Sequence, residues 1–201
     1  MTALKKRHGL NPLACWVSQD RNGTNVFVVE LLAPPSEAAA IAGWKAFAAD
    51  PEFAPAYAAS EAKHGKTYSK IETLKLLGPA SVWKLVNNGK RPSRVFDLRL
   101  YARVPGKEAA FRDRWRDHAI RIYERRGMDN LGWWEATDAD HTGVMATLFA
   151  HESLDAINAT IGAFHRDQEW IRIEKETEAN GKLRTGATAF KLVPANFSPI
   201  K

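Results

Sequence analysis

The chain has 201 residues, 45% of them hydrophobic and 26% charged, and a formal net charge of +6. This is ordinary globular composition, and a chain of this length buries enough apolar surface to need no disulfide or metal staple. A single cysteine, Cys15, excludes an internal disulfide, and a reducing cytoplasm is the expected location.

The basic excess is spread along the chain with no run of five like charges, so no nucleic-acid tail is expected. No apolar run approaches the roughly 20 residues that span a bilayer. The start, Met1 to His8, is basic, but Asn11 and Pro12 leave no apolar stretch behind it, which argues against a secretory signal.

Laid on itself with a shift of about 117 residues, the chain repeats in order. His8-Gly9-Leu10 falls on Arg126-Gly127-Met128, Trp16 on Trp134, and Asp50-Pro51-Glu52-Phe53 on Asp167-Gln168-Glu169-Trp170. Further on, Gly65 falls on Gly181 and Ser81 on Ser198. Two domains are expected, an N-terminal repeat over 1–88 and a C-terminal one over 94–201. The first is incomplete, because Met1 aligns near Ala119 inside the first helix, so the opening strand and most of that helix have no counterpart. Cys15 and Trp16 read as part of a strand. Asp50-Pro51 reads as an N-cap followed by proline at the first helical position, where no N–H is needed.

The second copy begins with a strand over Val95 to Val104. Phe96, Leu98, Leu100 and Ala102 alternate with Asp97, Arg99, Tyr101 and Arg103, the period of a half-buried strand. Pro105-Gly106 ends it. A helix follows to Arg126, with Phe111, Trp115, His118, Ala119 and Ile122 as its apolar stripe, Asp117 pairing with Arg121, and Gly127 as a left-handed cap. Strands over Leu131–Thr137 and Val144–Ala150 flank the polar turn from Asp138 to His141. Ser153 opens a helix that buries Leu154, Ile157, Ile161 and Phe164, and Asp167 opens another that carries Trp170 and Ile173. A last strand over Thr185–Val193 completes β-α-β-β-α-α-β, a split βαβ unit of the α+β class.

These residues resemble the NIPSNAP family. The Phe96-Asp97-Leu98-Arg99-Leu100-Tyr101 strand and Val104-Pro105-Gly106-Lys107 are similar to its opening motif. Gly132-Trp133-Trp134, Glu152-Ser153-Leu154, Asp167-x-x-Trp170 and Leu192-x-Pro194-Ala195-Asn196-Phe197-Ser198-Pro199 resemble its later parts. The resemblance covers 94–201 and, more weakly, 4–85. It implies two ferredoxin-like repeats in a dimeric α+β barrel-type arrangement, formed within one chain or by pairing with a second, so self-association as a homodimer or an intrachain pseudo-dimer is expected. Pro34-Pro35 in place of Glu152-Ser153, and Val82-Trp83 in place of the closing proline, fit a first repeat that keeps the shape and has lost any site. The family supplies no catalytic residues to carry over.

Candidate chemistry starts on the Asp97, Arg99, Tyr101 and Arg103 face, expected to lie opposite the helices and inside the barrel. A buried arginine there needs a polar partner, either a ligand carboxylate or Asp97 itself. His118 reads as a general base, a metal ligand or, preferably, a core histidine bonded to a neighbour. Trp134 and Trp170 read as walls of an aromatic pocket or, preferably, as packing. Arg99, Tyr101, His118, Trp134 and Trp170 are therefore the candidate ligand-binding residues. No histidine or cysteine spacing suggests a metal site. No cofactor is expected, although the broader fold accommodates haem. The arginine-rich helix over 112–126 interleaves Asp113, Asp117 and Glu124, so it reads as a solvated face and not as a nucleic-acid surface. Glycine-loop, nucleophile-elbow and dinucleotide motifs are absent from the sequence. The expected function is binding of a small aromatic or carboxylate-bearing ligand in the barrel interior. The alternatives are an oxygenase-like or haem-dependent enzyme of the same superfamily and a protein-interaction role.

Overall fold

The computed structural model describes residues 2–18, 27–66, 70–78 and 94–200. The expected end of the first domain at 88, Ser81 and the Val82-Trp83 departure lie outside the described residues. Contacts divide the chain into two units, one drawn from Met1–Trp16, Val28–Thr73 and Ala195–Ile200, the other from Val17–Phe27 and Leu74–Pro194.

The first unit holds α1 (Thr2–Arg7), β1 (Pro12–Ser18), β2 (Val28–Leu32), α2 (Glu37–Ala48) and α3 (Phe53–His64), with β1 and β2 side by side. Cys15 and Trp16 are buried in β1, as expected of a strand, and burial pushes the Cys15 thiol upward. The closing residues of the chain complete its hydrogen bonding. Ser198 Oγ accepts from the Cys15 N–H at 3.0 Å, and the Ala195 N–H donates to the Cys15 carbonyl at 3.0 Å. Ser36 caps α2 by accepting from the Ala39 N–H. Gly43 lets α2 cross the His8 carbonyl closely, since a Cβ there would meet that oxygen at 2.7 Å.

Asp50 is the hinge of this unit's electrostatics. Its carboxylate accepts from the Glu52 N–H at 2.9 Å, lies 2.6 Å from His8 Nε2 and accepts from Arg7 at 3.3 Å, while Arg7 also binds Glu52. α3 starts at Phe53, whose N–H donates to the Asp50 carbonyl at 2.9 Å. Pro51 therefore stands in the turn before the helix instead of at its first residue. Nor is Asp50 the N-cap: Glu52 holds that position without a side-chain cap, and the Asp50 carboxylate braces the preceding turn instead.

The second unit holds β3 (Leu76–Leu77), β4 (Val95–Arg103), α4 (Glu108–Arg114), a π-helical turn over Trp115–Ala119, α5 (Ile120–Arg125), β5 (Asp129–Ala136), β6 (Val144–His151), α6 (Leu154–His165), α7 (Gln168–Thr177) and β7 (Arg184–Pro194). Its strands run in the order β7-β4-β6-β5-β3, and the β7–β4, β4–β6, β6–β5 and β5–β3 pairs are antiparallel. Counting from β4, this is the split βαβ order expected of the second copy, with the first strand in the middle. Gly127 has φ 83° and closes α5 in the left-handed region, and Ser153 and Asp167 cap α6 and α7 through their side chains.

Two expectations fail here, each for a local reason. The Asp97–Arg103 face of β4 does not point away from the helices. Tyr101 is 4% exposed and packs on Phe111 and Trp115, whereas Leu98 and Leu100 on the other face are half-buried. The helices supply enough aromatic surface to cover a tyrosine and the stems of arginines, so the apolar set does not decide the face. The Asp117–Arg121 pair is also not formed. Asp117 binds Arg116, and Arg121 binds Glu169. The Ile120 N–H reaches back to the Trp115 carbonyl, five residues away, so the π turn inserts one residue and moves positions four apart out of line.

Asp167 ties α5 to α7. One carboxylate oxygen accepts from the Glu169 and Trp170 N–H groups at 3.0 and 3.3 Å. The other accepts from Arg125 at 2.8 Å and from Arg126 at 2.6 and 2.9 Å. Burial opposes its charge, yet the hydrogen bonds from Arg125 and Arg126 hold the carboxyl well below its ordinary value. Hydrogen bonds from Arg121 and Arg125 likewise hold Glu169 down, to about 2. As pH falls, the unfolded chain takes up the Asp167 proton first, near the ordinary value of about 3.9. The stability this group contributes is complete above that value and is lost as pH falls toward the folded-state value. Asp167→Ala is expected to lower the unfolding free energy by about 1–2 kcal/mol at pH 7, with the gap to the native protein narrowing in acid. Urea denaturation at pH 7 and pH 3 measures both, and a gap that does not change with pH would remove the carboxylate from the account.

Candidate functional site

A cavity of about 50 Å³ lies between the sheet of the second unit and its helices, room for roughly four water molecules. Arg99 and Tyr101 on β4 and Arg184 and Ala187 on β7 form its floor. Phe111, Arg114, Trp115 and Ala119 come from α4 and the π turn, with Tyr123, Phe164, His165 and Trp170 from the following helices. His165 and Ala187 are the exposed members of the lining and mark its mouth. The π turn contributes two residues of the roof, Trp115 and Ala119, which stand on either side of the extra residue it inserts. Such turns recur at functional sites because they displace a helix face without ending the helix.

Three guanidiniums line this space, and they differ in what holds them. Arg99 Nε donates to Asp97 Oδ2 at 2.8 Å, so the internal pair weighed from the sequence is formed. Burial works against the Arg99 charge, but the fields of Tyr101 and Asp97 outweigh it and hold the guanidinium above its ordinary value. Arg114 donates to Glu178 at 3.0 Å and to Thr177 at 3.2 Å, and it lies over the rings of Phe111 and Trp170. Arg184 lies over the Tyr101 ring at 5.8 Å and has no acid partner among the described residues.

Arg184 faces the cavity because of a β-bulge. Tyr101 pairs with Ala187 and Ala102 with Gly186, but Arg103 pairs with Arg184, so Thr185 is the extra residue. Without that insertion Thr185 would oppose Arg103, and Arg184 would project from the other face of the sheet. Sequence reading missed Arg184. The one signal that could have found it was Gly186 inside a strand pattern, a mark of bulges.

Two further donors lack partners. Trp115 Nε1 and Trp170 Nε1, on rings that line the cavity, are buried without an acceptor among the described residues. An orphaned buried donor costs about 1–3 kcal/mol. Alongside, on the same face of the sheet, Asp97 Oδ1, Thr147 Oγ1 and His151 Nε2 are also buried and without a partner among the described residues. Burial pushes the Tyr123 hydroxyl well above its ordinary value, with the field of Tyr101 acting in the same sense.

Of the residues singled out from sequence, Arg99, Tyr101 and Trp170 meet in this cavity. His118 does not. It is half-buried on the π turn, because the inserted residue rotates it off the stripe that Phe111, Trp115, Ala119 and Ile122 bury. Trp134 does not either. It pairs with Ala146, which pairs with Leu100, and this register places it on the sheet face away from the helices, against the backbone of Gly78. Haem does not fit these residues. The volume is far below the roughly 300–1,000 Å³ of pockets for larger ligands, and the lining imidazole, His165, stands at the mouth. Among the described residues no three His, Cys, Asp or Glu side chains converge as a metal site would need, and no helix is long and apolar enough to cross a membrane.

The NIPSNAP family pattern matches residues 96–199. The chain belongs to the NIPSNAP family. Every residue lining the cavity falls inside the matched stretch. A NIPSNAP protein of Agrobacterium tumefaciens is similar in structure, at 21% identity and a TM-score of 0.48, over 54% of this chain and 92% of the other. A NIPSNAP-like domain protein of Burkholderia xenovorans is similar at 18% identity and 0.47, over 54% and 91%. A proposed monooxygenase of Fusobacterium nucleatum shares the fold at 9% identity and a TM-score of 0.51, over 96% of this chain and 83% of its own. The expected α+β, barrel-type class of fold is therefore the class observed. No curated protein matches the chain.

His151, 2% exposed beside the cavity and not part of its lining, gives the stability of this NIPSNAP unit a pH signature. Burial pushes its imidazole below the ordinary value, Asp97 opposes that, and Arg99 and Arg94 add to it. The unfolded chain takes the proton first as pH falls through about 6.5, so the contribution of His151 to stability is complete above that pH and declines below it. An NMR titration of the imidazole is expected to give a midpoint below about 6.5. His151→Gln is expected to flatten the rise of unfolding free energy between about pH 5 and 7, and an ordinary midpoint with an unchanged slope would overturn the assignment.

Proposed function

We propose that this NIPSNAP-family protein binds a small organic anion, aromatic or carboxylate-bearing, in the cavity between the sheet and the helices of its second unit. The observation that carries this reading is Arg184, turned onto the cavity floor by the bulge and left without an acid partner among the described residues. A guanidinium beside buried aromatic rings is a strong point of attachment for a carboxylate, since charge-assisted hydrogen bonds gain strength where water is scarce. The orphaned Trp115 and Trp170 N–H groups add donors that an anion's oxygens satisfy. On this reading Arg99 orients the floor through Asp97, and Arg184 makes the contact.

We also infer that the two units derive from one duplicated α+β element. The support is a constellation that occurs twice. Asp50 joins Arg7, His8 and Glu52 in one unit, and Asp167 joins Arg125, Arg126 and Glu169 in the other, at positions related by the sequence shift.

Binding is followed by tryptophan fluorescence, because Trp115 and Trp170 form walls of the cavity. With benzoate as the probe, Arg184→Gln is expected to weaken binding at least tenfold. Arg172→Gln, on the exposed face of α7, is expected to leave binding unchanged. Equal loss in both variants, or none in either, would count against the site.

A further inference from the structure

We infer that the cavity takes an anion with one negative charge, a small monocarboxylate, and discriminates against dianions such as sulfate or phosphate monoesters. This rests on the anion-binding reading above and goes beyond it by fixing the charge of the ligand. Among the described residues the inner charges are Arg99, Arg114 and Arg184 against Asp97 and Glu178, which leaves one positive charge uncompensated. At the rim, Glu174 lies near His165, and Lys182 reaches Glu178 from solvent at 2.6 Å, so these two outer charges offset one another. His165 stands at the mouth, and burial pushes its imidazole below the ordinary histidine value, so it adds no full charge at about pH 7.5.

Four of the five side chains that carry the inner charges are poorly hydrated, and the fifth, Arg184, is half-buried. The exposures of Asp97, Arg114, Glu178 and Arg99 are 0%, 3%, 7% and 14%. An excess charge in such surroundings is costly until it is paired. One negative charge restores neutrality. A second would leave the site as far from balance as before, with the opposite sign. The donor set fits the same ligand, because one guanidinium fork and two indole N–H groups suit the two oxygens of a single carboxylate. The apolar lining from Phe111, Phe164 and Tyr101 receives the body of the ligand.

The test is a matched panel titrated at pH 7.5 by calorimetry. It comprises acetate and benzoate as monoanions, sulfate and phenyl phosphate as dianions, and acetamide and benzamide as neutral counterparts. The monocarboxylates are expected to bind at least tenfold more tightly than the dianion and the amide of like size. Glu178→Gln removes one inner negative charge and is expected to raise phenyl phosphate affinity at least tenfold relative to benzoate. The panel on the unaltered protein decides the matter by itself if that variant does not fold. Dianions that bind as tightly as monoanions, with binding lost in Arg184→Gln, would overturn the charge assignment and leave the site standing. Binding that survives Arg184→Gln, or no binding by any anion in the panel, would overturn the site and the charge assignment together.

Discussion

Placing charged side chains beneath the helices of the second unit is the constraint that shapes the rest of it. Asp97, Arg99 and Arg103 share one face of β4 with Tyr101, and that face is covered. Each charge must be answered in place, because desolvating a guanidinium costs several kcal/mol unless a partner repays it. Asp97 answers Arg99, Glu135 and the Gly143 carbonyl answer Arg103, and Glu178 answers Arg114 from the end of α7. Each partner comes from a position fixed by register or by a helix cap. Arg184 stands apart from this set, and for that reason it carries the functional reading.

The positions of α5 and α7 depend on a second electrostatic centre. Asp167 caps α7 and holds two arginines at the end of α5, so one carboxylate sets the separation of two helices whose inner faces supply Tyr123 and Trp170 to the cavity. Tyr123 stacks on Phe164 with centroids 3.8 Å apart, and Phe164 lies 4.4 Å from Trp170, so the aromatic wall is continuous across α5, α6 and α7. Packing of this kind transmits a shift at the cap to the cavity wall. Capping and cavity geometry are therefore coupled in this unit, although Asp167 does not line the cavity.

Much of this is legible in the chain. Period-2 alternation locates β4, the residues before α6 and α7 read as side-chain caps, and Gly127 reads as the left-handed stop of α5. Those signals are local, and local hydrogen bonding determines them. The face of β4 is set by what lies across from it, and the sequence of β4 does not record that. Both of its faces carry residues able to be buried. Phe96, at 0% exposure, and Tyr101, at 4%, are buried on opposite sides. Polarity alone therefore points the wrong way. The helix phase is lost for a different reason. A 3.6-residue period fitted across Trp115–Ala119 puts His118 on the stripe and leaves out Arg114 and Tyr123, which the structure buries.

The two features hidden from sequence are the same kind of event on opposite walls of one cavity. In the roof a single added residue converts a helical turn to the π form, which keeps Trp115 and Ala119 on the buried side and turns His118 off it. In the floor a single added residue makes a bulge that turns Arg184 to the inner face. Each insertion has a local cost, because it breaks a regular hydrogen-bond ladder. Neither is needed for the sheet order or for the helix caps, which are set by other residues. The irregularities converge on a cavity that contains, among the described residues, a guanidinium without an acid partner and two indole donors without acceptors. Their shared location supports the anion site proposed for that cavity.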